Sequence, residues 1–363
     1  MMKYFIALAI SLSVFVSCTN TKKPILVPAK SEALSYMGRT VWTADSLIAE
    51  LCWSGASVAI NFEGKSLKAS LKNSERDNFY NVIIDGIVDT ILHIDTVKTE
   101  YLLANNLSKG AHQVELFRRT EWTFGKTQFF GFEVDGDALL LPASPKKKRS
   151  IEFYGNSITA GHGVDDPTDQ DRWDSIYSNN FHTYASITAR HFNADYSCIA
   201  RGGIGIMLSW FDQIMPELYY RQDPTKINSQ WDFTASPKDI IVVNLFQNDS
   251  WLVENPEYEQ YKKRFAKQQP TKEFIINSYA SFVSKIRSHY PDANIICMLG
   301  NMDITKEGSE WPNYVEEAVL SLKDDKIHTF FMPYKNSKGH PKIADQKLMG
   351  DALIQFIESK LNW

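Results

Sequence analysis

The spacing of apolar residues changes character once along this chain, near Ala143-Ser144-Pro145, and that change calls for two domains of different construction. From about Gly38 to Leu141, short β-type runs stop at turn signals. Ser57–Phe62 ends at Gly64, Phe79–Ile84 at Asp85-Gly86, and Phe129–Val134 at Asp135-Gly136; Gln113–Phe117 is a further run. Turns recur about every ten residues with no long amphipathic helix between them, as in an antiparallel β-sandwich. After Arg149, strands alternate with helical spacing. Strands are expected at 151–154, 194–200, 239–245, 294–299 and 327–331, and helices at 181–192, 274–289, 315–322 and 343–361. Near-continuous apolar strands separated by helices predict a parallel sheet covered on both faces. Catalytic groups in such a sheet gather beyond the carboxyl ends of its strands.

The 363 residues, 44% of them apolar, suffice for two cores. A net charge of −4 with mixed signs gives no footprint for nucleic acid. The short cluster Lys146-Lys147-Lys148-Arg149 reads as surface linker. At the N-terminus, Met1-Met2-Lys3 precedes an apolar run, Tyr4–Val16, too short to span a bilayer comfortably. Ser17-Cys18 closes it. This resembles a bacterial lipoprotein signal, although Phe15 stands where leucine is usual. The resemblance implies lipidation of Cys18 and a place in the cell envelope, periplasmic or surface-exposed; otherwise the chain is secreted. The expected divisions are a signal at 1–18, a tether at 19–32, the sandwich at 33–145 and an α/β/α domain at 146–363. Cys52, Cys198 and Cys297 remain, an odd number that makes no disulfide framework. With no CxxC and no HExxH motif, neither a metal nor an organic cofactor is expected.

Four loops that follow strands carry chemistry. Ile151–Tyr154 runs into Gly155-Asn156-Ser157, where a strand-to-loop turn can hold a serine hydroxyl clear of the sheet beside backbone N–H groups. Arg201-Gly202-Gly203-Ile204-Gly205 lets backbone amides approach a ligand. Phe246-Gln247-Asn248-Asp249 and Lys338-Gly339-His340-Pro341 follow two later strands.

In this order the four blocks resemble the SGNH or GDSL hydrolases. The preceding β-sandwich, Val82–Gly86, Gly203-Ile204-Gly205 and Gly339-His340-Pro341 narrow the resemblance to carbohydrate esterase family 2. It implies removal of O-acetyl groups from xylan- or mannan-like polysaccharides or oligosaccharides. Ser157 would be the nucleophile, His340 the base, and Ser157, Gly203 and Asn248 the oxyanion donors. Two positions depart from the superfamily pattern. Ser337 stands where an aspartate usually orients the histidine, which the family accommodates with a Ser-His dyad held by a backbone carbonyl. Phe246 replaces the glycine that usually opens the asparagine block. Asp249 and Asp303 are the remaining carboxylates, with Asp249 read as a structural partner within its loop. Trp251 is the expected sugar-stacking wall, and Trp210 is assigned to core packing on a helix. The competing readings are a lysophospholipase or thioesterase of the same superfamily and an inactive glycan-binding relative.

Overall fold

The computed structural model describes residues 22–168, 170–266 and 268–363; the signal and Cys18 lie outside them. Residues 25–140 form two six-stranded sheets whose pairings are all antiparallel. Strands such as Leu67–Asn73 bury alternate residues, and Val58, Ile60, Phe62, Leu71, Val114 and Phe129 fill the space between the sheets. Period-two patterning thus becomes one apolar face per sheet.

The second domain is a five-stranded parallel sheet. Its spatial order is Ala194–Ala200, Arg149–Gly155, Ile240–Asn244, Asn294–Leu299 and Ile327–Phe331. The alternation of side chains divides its core in two. Tyr154, Ile241, Val243 and Ile295 face one cluster, covered by the helices Lys272–His289 and Trp311–Leu322; Phe153, Val242, Ile296 and Met298 face the other, with Tyr184–His191 and Ile343–Leu361. The sequence-derived helix at 181–192 begins with a 3-10 turn at Asn180–His182, and its α-helical part starts after the Thr183 cap. Three short helices, Ser157–Ala160, Gln247–Leu252 and Glu259–Phe265, were not expected from the sequence.

Because the first strand lies between the second and third, the chain reverses its winding direction there, and a crevice opens beyond the strand ends. Gly155 pairs with both Ala200 and Asn244, so the loops that follow these strands start level with one another.

The two domains share buried surface. Val41, Cys52 and Trp53 of the sandwich join one core cluster of the second domain; Ile83 and Phe117 join the other. Fully buried Arg39 donates to Arg221 O at 2.8 Å, to Tyr219 O at 2.6 Å and to Glu152 at 3.0 Å beneath the sheet. A buried guanidinium is tolerated only when paired and hydrogen-bonded in this way. The cysteines Cys52, Cys198 and Cys297 are free and buried.

Candidate active site

Ser157 opens the four-residue helix after the first strand. Asn156, the cap, is extended and accepts the Ile158 N–H at 3.0 Å, while Gly161 closes the turn in the left-handed region at φ 92°. A side chain on Gly155 would collide with Thr159, so only glycine allows the turn to fold this tightly. Ser157 is 7% exposed and receives no acceptor for its own N–H from the described backbone.

His340 Nε2 lies 2.8 Å from Ser157 Oγ. Its Nδ1 lies 2.6 Å from Asp171 Oδ2, and its backbone N–H donates to Asp171 Oδ1 at 3.0 Å. Burial raises the Asp171 carboxyl, but hydrogen bonds and charge from His340 prevail and hold it well below the ordinary carboxylate range. An ionised carboxylate can only accept, so Nδ1 carries the proton and Nε2 is free to take one from the serine. The expectation of a dyad without a carboxylate is therefore corrected: Asp171 fills the orienting role, 169 residues away from its histidine.

The loop that brings Asp171 here is internally tied. Buried Asp166 accepts from Thr168 N and Oγ1 at 2.9 and 2.8 Å and from the Arg172 guanidinium at 2.7 Å. Asp165 binds Arg119 of the sandwich at 2.8 Å. Asp171 itself adopts φ 56°, and Gly339 passes close to it at φ 72°. Ser337, at the position where the superfamily places its aspartate, is instead bonded by Lys335 Nζ.

Asn248 is fixed from both sides. Its Nδ2 donates to Ile204 O at 2.8 Å and its Oδ1 accepts the Trp210 indole N–H at 3.0 Å. Asp249 accepts from Ile206, Met207 and Leu208 N–H groups at 3.0, 2.7 and 2.9 Å, which pins the glycine loop against the asparagine block. It is a structural partner as expected, but of the neighbouring loop, and burial pushes its carboxyl up to about 6. Gly203 has φ 80°, and a side chain there would press on Trp210 and Phe211. Phe246 stands at φ 80°, the conformation that glycine takes without strain. Its buried ring packs 4.8 Å from Tyr279 and 5.0 Å from Trp311, contacts that hold it there.

The tryptophans divide differently from the sequence-based expectation. Trp210 is not helical; it lies in an irregular loop, 45% exposed, against the glycine loop at Gly203. Trp251 is half-buried, and its N–H reaches Asp303 at 3.2 Å, which commits that carboxylate away from His340. Trp173 was not singled out from the sequence. It is 71% exposed, its ring 4.2 Å from His162 and 6.5 Å from His340. His162 is buried, and desolvation followed by the charge of His340 lowers it to about 4, leaving it neutral near pH 7. His162, Asp171 and His340 offer donor atoms within 4.8 Å of one another. Two of these residues are already committed to the serine relay.

The sandwich matches the family described as carbohydrate esterase 2 N-terminal over residues 36–144. A cellulase/esterase of Acetivibrio thermocellus is 30% identical over 322 residues, 86% of this chain and 38% of that longer protein. An acetylxylan esterase/glucomannan deacetylase of Cellvibrio japonicus is 28% identical over 85% of each chain. A family two carbohydrate esterase from Clostridium thermocellum, solved with cellohexaose, superposes with a TM-score of 0.81 at 28% identity, over 91% of this chain and 99% of its own. In sequence and in fold the chain thus resembles the family 2 carbohydrate esterases. In this chain the family-matched sandwich is joined to the α/β/α domain, and the Ser157–His340–Asp171 series lies beyond the strand ends of that second domain.

Proposed function

We propose that this carbohydrate esterase removes O-acetyl groups from polysaccharides or oligosaccharides of the xylan or mannan type through a serine acyl-enzyme, outside the cytoplasm. The observation that carries the mechanism is the hydrogen-bonded series Ser157–His340–Asp171. Ser157 Oγ attacks the ester carbonyl while His340 Nε2 takes its proton, and Asp171 stabilises the resulting imidazolium. The tetrahedral oxyanion is met by the amides of Ser157 and Gly203 and the Asn248 side chain. Collapse breaks the bond to the sugar oxygen, which leaves with the proton from His340. Water, deprotonated by the same nitrogen, then releases acetate and restores the serine.

The substrate class is supported by the activities for which the relatives are named and by the exposed rings of Trp173 and Trp210, which flank the relay and suit apolar sugar faces. Trp251, half-buried, offers less of its ring. The envelope location rests on the Ser17-Cys18 signal. Asp171 removes the main argument for an inactive glycan-binding relative, since the orienting carboxylate is present.

Hydrolysis of acetyl, butyryl and octanoyl nitrophenyl esters and of acetylated xylan by wild type and Ser157→Ala tests the reading. Acetyl preference and at least a roughly thousandfold loss in the variant are expected. Equal rates for the two proteins would remove the mechanism, and a preference for octanoyl would replace the substrate class with a lipid one.

A further inference from the structure

We propose that Glu121, a β-sandwich residue, is a positioning residue of the esterase site: its carboxylate braces the glycine loop that presents the oxyanion donors. The catalytic centre is then completed across the domain boundary. This rests on the serine-esterase reading above.

Glu121 lies between the strands Ala111–Arg118 and Thr127–Val134. Its Oε2 accepts the Gly202 N–H at 2.5 Å, and its Oε1 accepts the Thr123 hydroxyl. Both oxygens are thus engaged within the protein, as a brace requires. Gly202 adjoins the nucleophile: a Cβ placed on it would lie 3.4 Å from Glu121 Oε2 and 3.7 Å from Ser157 Cβ.

The next peptide carries the Gly203 amide. Neither Gly202 nor Gly203 has a side chain with which to hold that peptide's orientation, and Gly203 sits at φ 80°. Downstream the loop is clamped by Asn248 at Ile204 O and by Asp249 at the Ile206, Met207 and Leu208 amides. Glu121 supplies the upstream clamp.

The brace is itself rigid. Fully buried Arg118 donates to Thr120 O and Glu121 O at 2.9 Å each and to Leu51 O at 2.8 Å. Beside it, the Arg201 guanidinium lies 3.2 Å from the Phe211 ring centre and 4.9 Å from that of Trp122. An isolated carboxylate here would repel the developing oxyanion. The charge interaction between Arg201 and Glu121 opposes that repulsion.

The test compares Glu121→Ala and Glu121→Gln in the full chain, with nitrophenyl acetate and with an acetate ester and its thionoester counterpart. Sulfur is poorly served by N–H donors, so a slackened oxyanion loop slows the ester more than the thionoester. For Glu121→Ala, kcat should fall by about tenfold to a hundredfold with KM within about threefold, and the ester-to-thionoester ratio should drop at least about fivefold. Glu121→Gln keeps an acceptor oxygen and should recover kcat to within about threefold of wild type. If Glu121→Ala does not fold, Glu121→Asp, one methylene short, should show the same ratio change. An unchanged kcat, equal slowing of ester and thionoester, or a glutamine variant as slow as alanine would each overturn the proposal. These results leave the esterase reading standing, whereas an active Ser157→Ala would remove the reading itself.

Discussion

Asp171→Asn removes one charge while keeping the size of the side chain. In the wild type the two carboxylate oxygens serve two donors of His340, the backbone N–H at 3.0 Å and Nδ1–H at 2.6 Å. Asparagine has a single oxygen. If that oxygen stays on the backbone N–H, the amide NH2 faces Nδ1, which must then accept. The ring proton moves to Nε2 and points at Ser157 Oγ, so the base is lost. The variant also forfeits the carboxylate that pairs with the imidazolium. For unit charges about 4 Å apart at an effective dielectric of about 20, that attraction is about 4 kcal/mol. At about 1.36 kcal/mol per tenfold, this alone is about three decades of rate. With the tautomer reversed as well, kcat should fall by about 10³–10⁴-fold, with KM within about threefold. Steady-state hydrolysis of nitrophenyl acetate at pH 7.5, alongside His340→Ala, provides the measurement. An asparagine variant keeping more than about a tenth of wild-type kcat, beside an inactive His340→Ala, would show that a dyad suffices. Stability gives a second reading. Because the folded Asp171 carboxyl titrates below its ordinary 3.8, its contribution is complete above that pH and is lost as pH falls toward the folded value. The stability gap between wild type and Asp171→Asn should therefore close in acid; a gap that widened below about pH 4 would contradict the pairing.

Phe246→Gly should relieve about 1–3 kcal/mol of left-handed strain but delete a buried ring whose loss costs about 3–5 kcal/mol, a net destabilisation in urea denaturation. A glycine variant more stable than wild type would show that the contacts with Tyr279 and Trp311 do not hold the strained residue in place. Trp173→Ala should raise KM for acetylated xylo-oligosaccharides by at least about fivefold and leave nitrophenyl acetate kinetics nearly unchanged, as for loss of one stacking ring. Equal effects on both substrates would place Trp173 in support of His340 and not of the sugar. Cys18→Ala should move the protein from the membrane fraction to the soluble fraction; unchanged fractionation would dismiss lipidation as the anchor.

The hydrolase strands at 194–200, 294–299 and 327–331 and the helix at 343–361 were legible to the residue, because apolar runs closed by turn residues leave little freedom in their bounds. The helices at Ser157–Ala160 and Gln247–Leu252 were not, since both are too short to show a period and are set by their caps and by the glycine loop. Ser157 and His340 were recognisable because each closes an apolar strand or precedes a terminal helix in a known order of blocks. Asp171 had no such marker. It sits in a polar loop beside Asp165, Asp166 and Asp174, and nothing local distinguishes the carboxylate that meets His340. Trp210 was misjudged because Ile204–Phe211 has helix-like apolar content, whereas Asp249 holds three of its amides and prevents a helical ladder.

Spacing and backbone preferences acting over a few residues thus determined the two-domain division and the parallel sheet, while the serine turn and the histidine that serves it were legible through the order of four blocks that resembles a known family. The third member of the relay, the exposed aromatic walls and the Glu121 brace were decided only in three dimensions. Each is a contact between segments far apart in the chain, and such contacts depend on how the sandwich docks and how the 165–174 loop folds back, which no short stretch of sequence encodes.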